Sequence, residues 1–154
     1  MENQLSIIPK YLICVDEAFR GLISGRLFCG CLPQGVPFCG IEELVIMMDV
    51  IMDRIAFPQS TVDKRAFAST KNTKKRVSAP PKKEELLAMR TFSPGAEHGR
   101  KATFTVQVQF RQNATWQGVV EGTGVQHREF KSELELMLIL DMACAEAEAI
   151  ATAK

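Results

Sequence analysis

The chain has 154 residues, enough for one domain or two very small ones. Hydrophobic residues make up 46% and charged residues 24%, which excludes a wholly disordered or collagen-like chain. No uncharged apolar run reaches the roughly 18 residues of a membrane span, and no basic segment followed by an apolar stretch opens the sequence. A cytoplasmic protein with no membrane segment is therefore expected.

The first unit, residues 1–57, opens with an alternating Tyr11, Ile13, Val15 pattern that predicts a strand. Cys29 and Cys31 read as alternate residues of a further strand. Gly40 occupies a helix cap position, with Glu43 three residues on, and the helix runs to about Arg54 before Pro58. The middle, residues 58–102, carries Pro58, Pro80, Pro81 and Pro94 and many Ser and Thr. Only residues 84–90 suggest helix there, about two turns, so this stretch reads as a partly disordered linker.

The second unit, residues 103–154, begins with Phe104, Val106, Val108 and Phe110 alternating with Thr105, Gln107 and Gln109. This predicts a half-buried strand. Residues 111–114 read as a turn and 115–121 as a return strand, with Gly118 a candidate bulge. A short third strand is expected over 125–130. Ser132 and Glu135 have capping-box spacing ahead of a helix to about Ala147. Both helices are apolar on most sides, so each needs cover on more than one side.

The two units align. Phe38, Glu43, Leu44 and Asp49 match Phe130, Glu135, Leu136 and Asp141 at an offset of 92, and Tyr11, Ile13, Val15 and Gly25 match Phe104, Val106, Val108 and Gly118 at 93. The expected fold is α+β: two pseudo-repeated hairpin-or-meander-plus-helix units packed into one core and joined by the linker. A homodimer that completes the core is the alternative.

Charge is uneven beneath a net +1. The two ends each hold four Lys/Arg against seven Asp/Glu, whereas residues 58–102 hold eleven against four, a local +7. Lys71, Lys74, Lys75, Arg76, Lys82 and Lys83 are the candidate phosphate contacts if the middle binds nucleic acid. It has little aromatic interleaving for base stacking.

Five cysteines without a signal segment suggest reduced thiols. Cys14, Cys29, Cys31 and Cys39 are near enough in sequence to raise a thiolate zinc site, although the spacing differs from paired C-x2-C knuckles. Small buried hydrophobes are the simpler reading, and no metal or cofactor is expected. The sequence holds no phosphate-cradling Gly loop, nucleophile elbow or zinc-protease helix. His98 and His127 read as residues of polar connections, and Asp49 and Asp141 as equivalent helix positions that would form a carboxylate pair if they met. The string Arg111-Gln112-Asn113-Ala114-Thr115-Trp116 sets the single Trp beside a polar tip. It reads either as a core Trp with a polar turn or as a recognition edge, since Trp and Arg are favoured at interface hot spots.

The strings F-T-V-Q-V-Q-F-R-Q-N-A-T-W-Q-G and F-K-S-E-L-E-L-M-L-I-L-D resemble a group of small uncharacterised Firmicutes proteins, chiefly clostridial, and the first unit resembles their other block. The resemblance implies a bacterial cytoplasmic protein and transfers no activity. The unit order is also similar to half of a double-stranded-RNA-binding domain and to antitoxins of the HicB type. The helix start here lacks the paired lysines that those RNA-binding domains place on phosphate.

These readings favour a non-catalytic protein that binds a protein partner, or itself, through sheet edges and hairpin tips, with Arg111, Gln112, Asn113 and Trp116 as contacts. The rival is a nucleic-acid-associated regulator using the basic middle. A specific form of either is a mobile-element inhibitor of a host nuclease such as a CRISPR effector.

Overall fold

A computed structural model describes residues 10–19, 21–55, 84, 87–89, 92, 97–112 and 115–152. The fold is α+β. Six strands form one antiparallel sheet: β1 Lys10–Phe19, β2 Leu22–Phe28, β3 Val36–Cys39, β4 Ala102–Gln112, β5 Thr115–Gly122 and β6 Val125–Phe130. Helix α1, Ile41–Ile55, follows β3, and α2, Glu133–Thr152, follows β6. The sheet order is β3-β2-β1-β4-β5-β6. Strand–strand–strand–helix thus occurs twice, and the first strands of the two runs pair at the sheet centre, Tyr11 opposite Val106 and Ile13 opposite Phe104. Most of 58–102 lies outside the described residues.

One sheet face carries the alternating apolar set. Tyr11, Ile13 and Val15 on β1, Leu27 on β2, Phe104, Val106 and Val108 on β4, and Val120 on β5 join a single core with both helices. Leu44, Met48 and Met52 come from α1, and Leu136, Ile139 and Leu140 from α2. Burying these side chains is the main source of stability, roughly 1.5–3 kcal/mol for each large one. In β1 the alternation fails because Leu12 and Cys14 are buried on the other face as well. A strand covered on both faces has no polar side.

Three register shifts shape the sheet, one of them between β5 and β6 at Val120/Gly122. Val15 pairs with Gly25 and Glu17 with Ser24, leaving Asp16 as the extra residue on β1. Val108 pairs with Gly118 and Phe110 with Gln117, leaving Gln109 as the extra residue on β4. The bulge near Gly118 therefore lies on the facing strand, not on the glycine's own. Each of these glycines admits a close backbone: a Cβ would lie 1.9 Å from the Cys14 carbonyl oxygen at Gly25 and 2.0 Å from that of Gln107 at Gly118.

Both helices start on the same device. The backbone N–H of Glu135 donates to Ser132 Oγ at 3.1 Å, and Glu135 Oε2 accepts from the N–H of Lys131 at 2.8 Å. In α1, Glu43 Oε2 accepts from the N–H of Cys39 at 2.8 Å, and Gly40 takes φ +91°, a left-handed conformation that suits a residue without Cβ. α2 runs five residues past its expected end, because Ala143, Ala145, Ala147 and Ala149 are strong helix formers.

Candidate interaction surface

Of the residues read as a hairpin-tip contact, Arg111 and Trp116 stand at the last rungs of the β4–β5 hairpin with their side chains buried. Arg111 is 5% exposed and Trp116 2%, and the two face each other across the β4–β5 ladder. The cause is the Gln109 bulge: one extra residue inverts the alternation, so Phe110 points to solvent and Arg111 to the helices. Arg111 Nη1 lies 2.6 Å from Asp53 Oδ1 and 3.6 Å from Asp49 Oδ1, and Nη2 donates to the Met52 carbonyl at 3.4 Å. Arg111 thus holds the sheet to α1, and Trp116 lies in the core. Gln112 ends β4; Asn113 lies outside the described residues, as do Lys71, Lys74, Lys75, Arg76, Lys82 and Lys83.

Asp49 and Asp141 do not meet. Asp49 serves Arg111, whereas Asp141 lies by the β1–β2 turn, its Oδ1 3.9 Å from where a Gly21 Cβ would sit. Those sites are at opposite ends of the central β1–β4 ladder. His127 is a strand residue of β6, not part of a connection, and its Nδ1 lies 2.8 Å from Glu121 Oε1.

The cysteines also separate. Cys14 pairs with Arg26 on the face away from the helices, and Cys39 is exposed at the end of β3. Neither joins Cys29 and Cys31, so the four-cysteine zinc arrangement does not form. β2 ends at Phe28, and the N–H of Leu32 donates to the Cys29 carbonyl at 3.1 Å. The C-x-C is therefore a turn, not a strand, and its Sγ atoms lie 3.3 Å apart. Burial pushes the Cys14 thiol up and Cys144 to about 11; for Cys29 the hydrogen bond with Cys31 raises it most, then burial. Thiols so held are protonated at neutral pH and poor nucleophiles.

What the chain does present is apolar. Leu134, Leu138 and Met142, spaced by four along α2, are 64%, 53% and 57% exposed. Ile46 and Val50 are exposed on α1, 92 positions before Leu138 and Met142. The inner faces of the same helices are already in the core, so this outer stripe is surplus to folding. Phe19 and Leu22 expose a further apolar tip at the β1–β2 turn, beside Asp141 of α2. Helical periodicity in the sequence showed apolar residues all round and gave no sign of which side would stay uncovered.

The stripe has an acidic surround. α1 carries Glu42, Glu43, Asp49 and Asp53 against Arg54; α2 carries Glu133, Glu135, Asp141, Glu146 and Glu148 with no cation. Among the described residues no helix is long and apolar enough to cross a membrane. No family model, curated protein or solved structure matches this chain.

Proposed function

We propose that the chain is a non-catalytic interaction protein that docks a basic, amphipathic protein segment on the outer face of its helices. The observation that carries this reading is the exposed Leu134–Leu138–Met142 stripe, matched by Ile46 and Val50. Contiguous apolar surface with a polar rim marks a protein-binding site, and one row spaced by four fits a helix laid along it. The carboxylates around it select a cationic partner and disfavour a second copy, which would bring acid against acid. The exposed apolar β1–β2 tip, beside Asp141 of α2, keeps a hairpin in the contact.

A mobile-element inhibitor of a host nuclease is one concrete form of this reading, since nucleic-acid-binding proteins carry cationic surfaces. Nucleic-acid binding by the chain itself rests on the +7 of residues 58–102.

The test is anisotropy of a labelled Lys/Leu amphipathic helical peptide against the full chain, at low and near-physiological salt. Binding that survives near-physiological salt and is lost in Leu138→Glu/Met142→Glu, with circular dichroism unchanged, supports the reading. Equal binding by the variant overturns it. A dimer in sedimentation that the same substitutions dissociate also overturns it, by making a second copy the occupant.

A further inference from the structure

The turn after β2 gathers sulfur. Cys29 Sγ and Cys31 Sγ lie 3.3 Å apart, and the N–H of Cys31 donates to Met89 Sδ at 3.2 Å. Met89 is fully buried and belongs to a helical stretch, residues 87–89, seated on this turn. The seat is close: a Cβ on Gly30 would lie 2.0 Å from the Ala88 carbonyl oxygen. Gly30 is therefore what lets Met89 reach the backbone of this turn from 58 positions away.

A second observation points to the same place. Tyr11 is 1% exposed, and its hydroxyl has no hydrogen-bond partner among the described residues. The register that pairs Leu12 with Phe28 sets Cys29 next in line opposite Tyr11. Burial pushes the phenol up most, Cys29 and Cys31 add to it, and Arg111 works in the opposite direction. A buried O–H without an acceptor costs about 1–3 kcal/mol. A thiolate formed beside it would supply the acceptor.

We propose that Cys29, Cys31 and Met89 form a three-sulfur site for a soft monovalent cation of the copper(I) class, with Tyr11 as its supporting hydrogen-bond donor. Thiolate and thioether ligands select such an ion over harder cations. A structural zinc site takes four ligands, and among the described residues no three His, Cys, Asp or Glu side chains cluster to hold a metal. On binding, each cysteine gives its proton to solvent and its sulfur lone pair to the cation; no electron is transferred. Met89 Sδ accepts the Cys31 N–H with one lone pair and keeps the other for the ion. The Tyr11 O–H then donates to a thiolate sulfur, the kind of outer contact that orients a ligand. Access runs through a cleft of about 690 Å³ that reaches Cys29, lined also by Phe28, Leu32, Gln34 and Phe92. This site is independent of the helix-face reading.

The experiment titrates the full reduced chain, without oxygen, with copper(I) acetonitrile complex against the chelator bathocuproine disulfonate. The expected result is withdrawal of one equivalent with thiolate-to-copper absorption in the near ultraviolet. Cys29→Ser or Cys31→Ser abolishes it, while Cys14→Ser and Cys39→Ser leave it unchanged. Tyr11→Phe keeps the fold, raises the stability of the copper-free chain and weakens copper(I) binding roughly 10–100-fold. Met89→Leu also weakens it, which keeps the proposal testable if the serine variants fail to fold. No withdrawal by the parent chain, or withdrawal unaffected by Met89→Leu and Tyr11→Phe, overturns the proposal.

Discussion

Arg111 Nη1 stands 2.6 Å from Asp53 Oδ1, joining the inner sheet face to the last turn of α1. The guanidinium is nearly sealed from solvent while the carboxylate is mostly exposed. The two partners are therefore unequal. Asp53→Ala takes the nearer of two carboxylates from a buried cation and should cost roughly 1–3 kcal/mol. Arg111→Met keeps much of the buried stem and strands no buried charge, so it should cost less. Urea denaturation of the two variants reads the order directly, and the reverse order would show that the stem's packing dominates.

Asp16 gives a pH dependence with a definite sign. The bulge aims it at Arg26, whose Nε and Nη2 lie 2.9 and 3.3 Å from its carboxylate oxygens, and the N–H of Arg100 adds a third bond at 3.2 Å. The hydrogen bond from Arg26 holds the Asp16 carboxyl below its usual range, with burial working in the opposite direction. A depressed folded-state value stabilises the protein above the unfolded value, about 3.9 for Asp. That contribution is lost as pH falls through the folded value. Melting temperature should therefore drop more steeply below about pH 4 in the parent than in Asp16→Asn.

Glycines separate by what faces them. Gly25→Ala and Gly118→Ala press a methyl group into the Cys14 and Gln107 carbonyls and should each destabilise by about 1–3 kcal/mol. Gly124 has φ +71° with nothing within 4 Å of an added Cβ. Gly124→Asn should be nearly neutral, since Asn tolerates left-handed backbone. Thermal melts of the three variants check the contrast.

Ser132→Ala removes the acceptor of the Glu135 N–H and should cost about 1 kcal/mol. Ser132→Gly should cost only a few tenths. A larger loss from glycine in chemical denaturation would mean that the hydroxyl is not what holds the start of α2.

Much of this fold is legible in local pattern. β4 lies where Phe104, Val106 and Val108 alternate, and the Ser132–Glu135 spacing marks the start of α2, because strand period and helix capping act over a few residues. The fate of Arg111 is not legible that way. Counting by twos from Phe104 puts Phe110 inside and Arg111 outside; the bulge reverses both, and nothing in the Gln107–Gln109 stretch announces an extra residue. The sulfur cluster is hidden for a different reason. Cys29 and Cys31 are two positions apart in sequence, but Met89 and Tyr11 come to this turn only through tertiary packing and cross-strand register.

The central ladder has a kinetic consequence. Tyr11 and Val106 are partners at the middle of the sheet, yet 95 positions separate them in the chain. The four outer pairings close within each half, over short turns, and can form in microseconds. The joining of β1 to β4 must wait for one long loop to close, and long-range pairing of this kind slows folding. Until it closes, each half exposes an unpaired central strand, and β1 is the strand with no polar side. Refolding yield should therefore fall as protein concentration rises, because β1 of one molecule can pair with β4 of another before its own arrives. Lengthening the segment between the halves should barely change equilibrium stability, by about 0.6 kcal/mol per doubling, while it widens the interval in which exchange between molecules occurs.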